Sequence, residues 1–239
     1  MLEDIRTVVV WQNGDYGNIK MKKILFFAYR DWMIDIFKQI HDNVDGFVLA
    51  TNRNLCNMDF INCINPDIIF FYGWSWMVDK EIIDNYLCLC LHPSKLPKYR
   101  GGTPIQNQII NGEKESAVTI FKMQEGLDDG PIYFQENFNL NGYLYEILNR
   151  IKELGIKGTK QFISDFKNNT VKFIKQDEQG ATIFKRLKPS DSEIKPEYFS
   201  QHDAEYFYNK IRGLQEPYPE VYIKCKTGKI IFKEIDYEL

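Results

Sequence analysis

Residues 67–102 read DIIFFYGWSWMVDKEIIDNYLCLCLHPSKLPKYRGG, and the parsing of this stretch decides the fold. DIIFFYG (67–73), set off by Pro66, and LCLCL (87–91), which stops at His92, are continuous apolar runs of strand length. Between them MVDKEIIDNY (77–86) is a helix candidate. Strand, helix and strand in that order predict a βαβ unit, whose parallel strands are covered by helices and buried on both faces.

The same alternation continues outward. KILFFAY (23–29) reads as a buried strand, DWMIDIFKQIHD (31–42) has apolar residues at helical spacing, and GFVLA (46–50) is another strand. Downstream, PIQNQIING (104–112) opens with Pro at a helix N1 position and closes with Asn-Gly. SAVTIFKM (116–123) is a strand, EGLDDGPI (125–132) a Gly/Asp turn, and YLYEILNRIKELGIKGTKQFISDF (143–166) the longest helical stretch. After TIFKRLKPSDSEI (182–194) come a helix at 203–213 and VYIKCKTGKIIFKEI (221–235), two strands around Thr227-Gly228. The expectation is an α/β fold: a Rossmann-like, mainly parallel sheet with helices on both faces, plus a small C-terminal β-hairpin. The active crevice of such a sheet lies beyond the carboxyl ends of its strands, where His92 and the loop Tyr72–Trp76 fall.

Bulk properties narrow the function. The 239 residues are 44% hydrophobic and 26% charged, with a formal net charge of -3. That balance speaks against a protein that neutralises many phosphates, so no nucleic-acid partner is expected. No apolar run reaches the roughly 18 residues that suggest a membrane span, and the N-terminus has no signal-peptide core. Five cysteines (56, 63, 88, 90 and 225) are odd in number and sit in apolar, strand-like stretches, which suits reduced thiols in cytoplasm. Neither Cys-x-Cys nor the scattered histidines form a zinc-ligand set, so no metal is expected. MKKILFFAYRDW at Met21 reads like a natural start, which makes residues 1–20 an extension that need not be native; the alternative is an edge strand at TVVVW.

Cys90 and His92 are two apart on a strand and present thiol and imidazole to one face. A Cys–His nucleophilic pair is one reading, and a small buried thiol is the other.

The run LHPSKLPKYRGGTPIQNQIINGEKESAVTIFKMQEGLDDGPI (91–132) resembles the signature of the folate-dependent formyltransferases. That family includes enzymes acting on methionyl-tRNA, on glycinamide ribonucleotide and on nucleotide-linked amino sugars. The resemblance extends over about residues 21–135. It implies a catalytic trio of Asn-x-His at a strand end and Asp from a Leu-Asp-x-Gly turn. Here the histidine is His92, the aspartate Asp128 (with Asp129 as neighbouring alternative), and the asparagine position holds Cys90. Cys90 then marks the loss of an oxyanion donor, for which backbone amides or Asn107 are candidate replacements; otherwise Asn107 lies on a helix surface.

The resemblance further implies 10-formyltetrahydrofolate as formyl donor, held by Tyr72, Gly73, Trp74, Ser75 and Trp76 together with Asp128. Trp74 and Trp76 serve either as slot walls or as sheet-edge packing. Arg100, Gly101 and Gly102 form a loop near substrate, Arg100 contacting it or fixing the loop, and the glycines permitting close approach of backbone to a ligand. Several segments are most similar to the sugar N-formyltransferase branch, which implies a dTDP-linked amino-dideoxy sugar as acceptor, for surface-polysaccharide synthesis. Lys185, Arg186 and Lys188 suit its diphosphate or form a solvated basic strand. The expected organisation is an extension at 1–20, a catalytic domain at 21–180, and a 181–239 segment for sugar-nucleotide binding and homodimer contact. Little room is expected for the C-terminal barrel of a methionyl-tRNA formyltransferase. That enzyme is the alternative function, and a catalytically weak ligand-binding homologue is another.

Overall fold

Strands and helices alternate through the first half of the chain. A computed structural model describes residues 8–12, 23–40 and 46–238. In chain order the elements are β1 (Val8–Gln12), β2 (Lys23–Phe27), α1 (Asp31–Ile40), β3 (Gly46–Ala50), α2 (Met58–Ile64), β4 (Ile68–Tyr72), α3 (Lys80–Asn85), β5 (Cys88–His92), β6 (Arg100–Gly101), α4 (Pro104–Ile110), β7 (Glu115–Lys122), β8 (Ile132–Asn139), α5 (Leu144–Lys167), β9 (Ile183–Phe184), α6 (Ala204–Gly213), β10 (Tyr222–Lys224) and β11 (Lys229–Ile231). One sheet runs in the order β1-β3-β2-β4-β5-β7-β8. Its centre, β3-β2-β4-β5, is parallel, and antiparallel pairs flank it on both sides. The segment TVVVW falls largely in β1, which pairs with β3 at the sheet edge; the remainder of residues 1–20 lies outside the described residues.

The two-residue period of the strands divides the core. Ile24, Phe26, Ile68, Phe70 and Tyr72 face α1 and α5, whereas Leu25, Phe27, Ile69 and Phe71 face α2 and α3. Central strands need apolar side chains on both sides, which is why β4 reads IIFFY without a polar residue. Each fully buried Leu, Ile or Phe contributes about 1.5–3 kcal/mol relative to exposure. Helix α5 buries Leu144, Ile147, Leu148, Ile151, Phe162 and Ile163 at spacings of three, four and seven, one stripe laid on the sheet.

Four elements, α2, β8, β6 and β9, lie beyond the sequence reading. Helix α2 starts where the Asn57 side chain accepts from the Phe60 N–H (2.9 Å) and stops at Asn65, which is left-handed at φ 50°. Strand β8 extends the sheet past β7. The short pair β6/β9 ties Arg100–Gly101 to Ile183–Phe184, seating the post-α5 chain beside the end of β5. A third apolar cluster, around Phe207, Ile211, Leu214 and Val221, joins α6 to the β10/β11 hairpin, whose turn contains Gly228 at φ 83°. No described helix is long and apolar enough to cross a membrane.

Candidate active site

A cleft of about 1010 Å³ opens at the carboxyl ends of the parallel strands. It receives the loops after β2 and β4, the end of β5, the β7–β8 connection and the Ile183–Leu187 segment. His92, the last residue of β5, is buried within it. Its Nε2 lies 2.8 Å from the Tyr99 carbonyl oxygen. A carbonyl only accepts, so Nε2 carries a ring proton, and Nδ1 is the nitrogen through which the ring can exchange a proton. Nδ1 lies 3.5 Å from Asp128 Oδ2. That oxygen also accepts the Gly101 N–H at 2.8 Å, which fixes the carboxylate.

Strand β7 ends beside Leu89, at the far end of β5, so the β7–β8 connection doubles back along the sheet to bring Asp128 to His92. Asp128 has φ 51°, a left-handed conformation that a non-glycine residue adopts only when its surroundings hold it there.

Cys90 lines the cleft two residues before His92. Its thiol is held well above the ordinary value, first by burial and then by the Asp128 carboxylate. A thiolate is the nucleophilic form of cysteine, so this geometry works against the Cys–His nucleophile and leaves a neutral thiol whose Sγ lies 3.7 Å from the Leu91 carbonyl. Burial likewise pushes Cys88 up to about 12, with a smaller effect of Cys56, and Cys56 up to about 12, with a smaller effect of Asp79. Only Cys63 and Cys225 are exposed. Titration with a thiol-reactive disulfide such as DTNB is expected to detect two fast thiols in the native protein and five after denaturation; a third fast thiol absent from Cys90→Ala would restore the nucleophile.

Several sequence-based assignments need correction. Tyr72 does not face the cleft: it is fully buried on the α1/α5 side of the sheet, its hydroxyl 2.8 Å from Thr159 Oγ1, because it shares a face with Phe70. Arg100 is buried outside the cleft lining and fixes its loop, with Nε and Nη2 on Gln176 Oε1 (3.2 and 2.7 Å) and both Nη atoms on the Glu178 carboxylate (2.9 Å each). Gly101 and Gly102 line the cleft, but the close approach they permit is to the chain's own Phe184–Arg186 segment. A Cβ on Gly101, at φ 96°, would collide with the Phe184 carbonyl, and one on Gly102 would lie 2.5 Å from Arg186 Cα. Lys185 and Arg186 are on the cleft wall, whereas Lys188 is outside it, its N–H donating to Asp191 Oδ2 at 2.6 Å. Asn107 is neither a surface residue nor an oxyanion donor, since Nδ2 donates to the Gly102 carbonyl (2.9 Å) and lies within 3.4 Å of the Lys185 carbonyl.

Gly73, Trp74, Ser75 and Trp76 do line the cleft. Trp74 packs on Phe27 and Phe71 at ring distances of 5.2 and 6.1 Å and on Trp76 at 4.9 Å, so these rings both close the sheet edge and wall the slot. The Ser75 hydroxyl is paired with Tyr29 at 2.5 Å. Sequence reasoning missed Arg30, whose guanidinium lies over the rings of Tyr218 (4.6 Å) and Tyr29 (5.1 Å), and Gln176, a buried amide between Arg100 and Asp128. Arg30 stands in the FAYRDW stretch right after β2, a position signal that the parallel-sheet rule supplies; Gln176 leaves no periodic signal.

The family model described as formyl transferase matches residues 38–158, just over half of the chain. The chain belongs to the formyl transferase family. A methionyl-tRNA formyltransferase from Rickettsia canadensis is 35% identical over 193 residues, covering 79% of this chain and 61% of that protein. This chain therefore spans under two thirds of the length of the curated relative it matches. The solved methionyl-tRNA formyltransferase from Clostridium thermocellum superposes with a TM-score of 0.79 at 30% identity, covering 91% of this chain and 94% of that one. A 4-N formyltransferase from Francisella tularensis, TM-score 0.74 and covering 92% and 99%, is 19% identical and shares the fold alone.

These formyltransferase relatives overturn the expected nucleotide-sugar acceptor. The family run at 91–132 contains His92, Asp128 and the turn that brings them together, and the resemblance carried by that run is to formyltransferases with different acceptors, so it carries no information about the acceptor. The net charge of -3 is a sum over the whole chain and does not show that Arg30, Lys185 and Arg186 line the cleft.

Proposed function

We propose that this chain moves a formyl group from 10-formyltetrahydrofolate to the α-amino group of methionyl-tRNA. The observation that carries formyl transfer is the buried His92–Asp128 pair, with Nδ1 turned to a fixed carboxylate in a cleft large enough for two substrates, while the acceptor is supported by the similarity to methionyl-tRNA formyltransferases at 35% and 30% identity. The amine nitrogen attacks the formyl carbon and forms a tetrahedral intermediate. Nδ1 accepts the amine proton, and Asp128 stabilises the imidazolium across 3.5 Å. The same proton passes to the leaving folate nitrogen as its bond to the formyl carbon breaks, so tetrahydrofolate and the formylated amine are released. The aromatic wall of Trp74 and Trp76 suits the flat ring of the folate.

Arg30, Lys185 and Arg186 suit the phosphates that approach with the acceptor. Burial raises the Tyr218 phenol, while Arg30, whose guanidinium lies 4.6 Å from the ring centre, and to a smaller extent Arg186 pull it the other way. Arg186→Ala is expected to weaken acceptor binding and to reduce the salt slope of its Michaelis constant by about 1, as for one lost phosphate contact. An unchanged slope would remove Arg186 from the acceptor site.

The decisive test is incubation of the protein with 10-formyltetrahydrofolate and methionyl-tRNA. Formyl-methionyl-tRNA and tetrahydrofolate should appear in equal amounts. Formylation of a small amine with methionyl-tRNA untouched would sink the acceptor. Folate binding without transfer to any amine would leave a weak homologue, the outcome that Cys90 favours.

A further inference from the structure

We infer that Gln176 is a positioning residue that holds the His92–Asp128 pair in register by acting through Asp128; this rests on the formyl-transfer reading of the site. Gln176 follows α5 in an irregular stretch that meets the sheet through an isolated bridge between Ile174 and Ile132, and it is buried. Its amide is saturated. Nε2 donates to the carbonyls of Asp128 and Gly130, both at 2.8 Å, and Oε1 accepts from Arg100 Nε and Nη2 at 3.2 and 2.7 Å. One side chain therefore joins the two loops that build the catalytic pair.

The partners of this amide fix its role. Three consecutive residues each hold a different part of the centre. The Tyr99 carbonyl holds His92 Nε2, the Arg100 guanidinium holds Gln176, and the Gly101 N–H holds Asp128 Oδ2. Asp128 stands at φ 51°, which persists only where several contacts over-determine it. Gln176 supplies two of those contacts, on the carbonyl of Asp128 itself and on that of Gly130. Only an amide fits, because two carbonyls demand two N–H donors on one side while the Arg100 cation demands an acceptor on the other. Glutamate would satisfy Arg100 and repel both carbonyls, and methionine would abandon all three partners.

A misplacement of about 1 Å at a reacting group can cost 10²-fold in rate, so Gln176→Met is expected to lower kcat by about 10²-fold with both Michaelis constants little changed. Gln176→Glu, which keeps Arg100 paired and the residue's shape, should also lower kcat and covers the case in which Gln176→Met does not fold. Because the residue acts through Asp128, adding Gln176→Glu to Asp128→Ala should cost nothing further. A full additional loss in that background, or a lowered Tm with kcat of the folded fraction unchanged, would reduce Gln176 to structural filler and overturn the inference. Hydrogen exchange at the Gly101 amide gives a readout that needs no turnover. Exchange should accelerate in Gln176→Glu as it does in Asp128→Ala, and unchanged protection would overturn the inference even if the wild-type protein transferred no formyl group, a failure that would count against the function alone.

Discussion

His92→Gln should lower kcat by about 10²–10⁴-fold, the range supplied by a positioned acid-base group. Glutamine keeps a side-chain N–H able to donate to the Tyr99 carbonyl, the contact that His92 Nε2 makes at 2.8 Å, so the end of β5 is expected to stay in place. What it lacks is a basic nitrogen opposite Asp128 Oδ2. The amine proton then loses its imidazole acceptor, and the departing folate nitrogen loses the imidazolium donor. Both halves of the reaction slow, while binding of folate and acceptor through the cleft walls is retained. The measurement is tetrahydrofolate release under saturating substrates, with folate affinity determined separately. A kcat within tenfold of wild type, with folate still bound, would take His92 out of the chemistry and leave the centre without an acid-base group.

How much of this was legible beforehand depends on the kind of signal each residue leaves. The strands β2, β4 and β5 announce themselves because a buried parallel strand needs apolar side chains on both faces, and the family run at 91–132 put His92 and Asp128 in one reaction before any geometry was known. The side-chain directions were partly legible too. Phe70 and Tyr72 share a face by the period of two, and that face turned out to be the one covered by α1 and α5. Other features leave no pattern. Gln176 is a single polar residue in an irregular stretch, and its function comes from four hydrogen bonds to residues at least 46 positions away. Arg100 stands in a loop that looked substrate-facing, and only the position of Gln176 and Glu178 shows where its guanidinium goes. The acceptor was misjudged for a related reason: the long motif resembles formyltransferases in general, whereas Arg30 and Arg186, 156 positions apart, come to line one cleft only in the fold, too distant for a local reading.

Cys90→Asn should raise kcat, by up to the roughly 10²–10³-fold that a single oxyanion donor is worth in acyl transfer. The resemblance puts asparagine at this position, two residues before the histidine on the same strand face, and the structure places Cys90 on the wall of the cleft. A thiol is a weak donor. This one is held protonated by burial and by Asp128, and its Sγ lies 3.7 Å from the Leu91 carbonyl, so its hydrogen is directed along the backbone. It therefore contributes little to a developing oxyanion, and Cys90→Ala should leave kcat nearly unchanged. An amide would project into the cleft from the same Cβ and offer two N–H donors beside the imidazole. The gain belongs in kcat and not in the Michaelis constants, because the oxyanion exists only after attack. The two substitutions therefore separate three mechanisms. Inactivation by Cys90→Ala would identify a covalent cysteine after all. A rise in Cys90→Asn alone would identify a vacant oxyanion position. If neither substitution moves kcat, another donor already serves the oxyanion, and the backbone N–H groups of the cleft-lining residues Gly73 to Trp76 become the ones to examine.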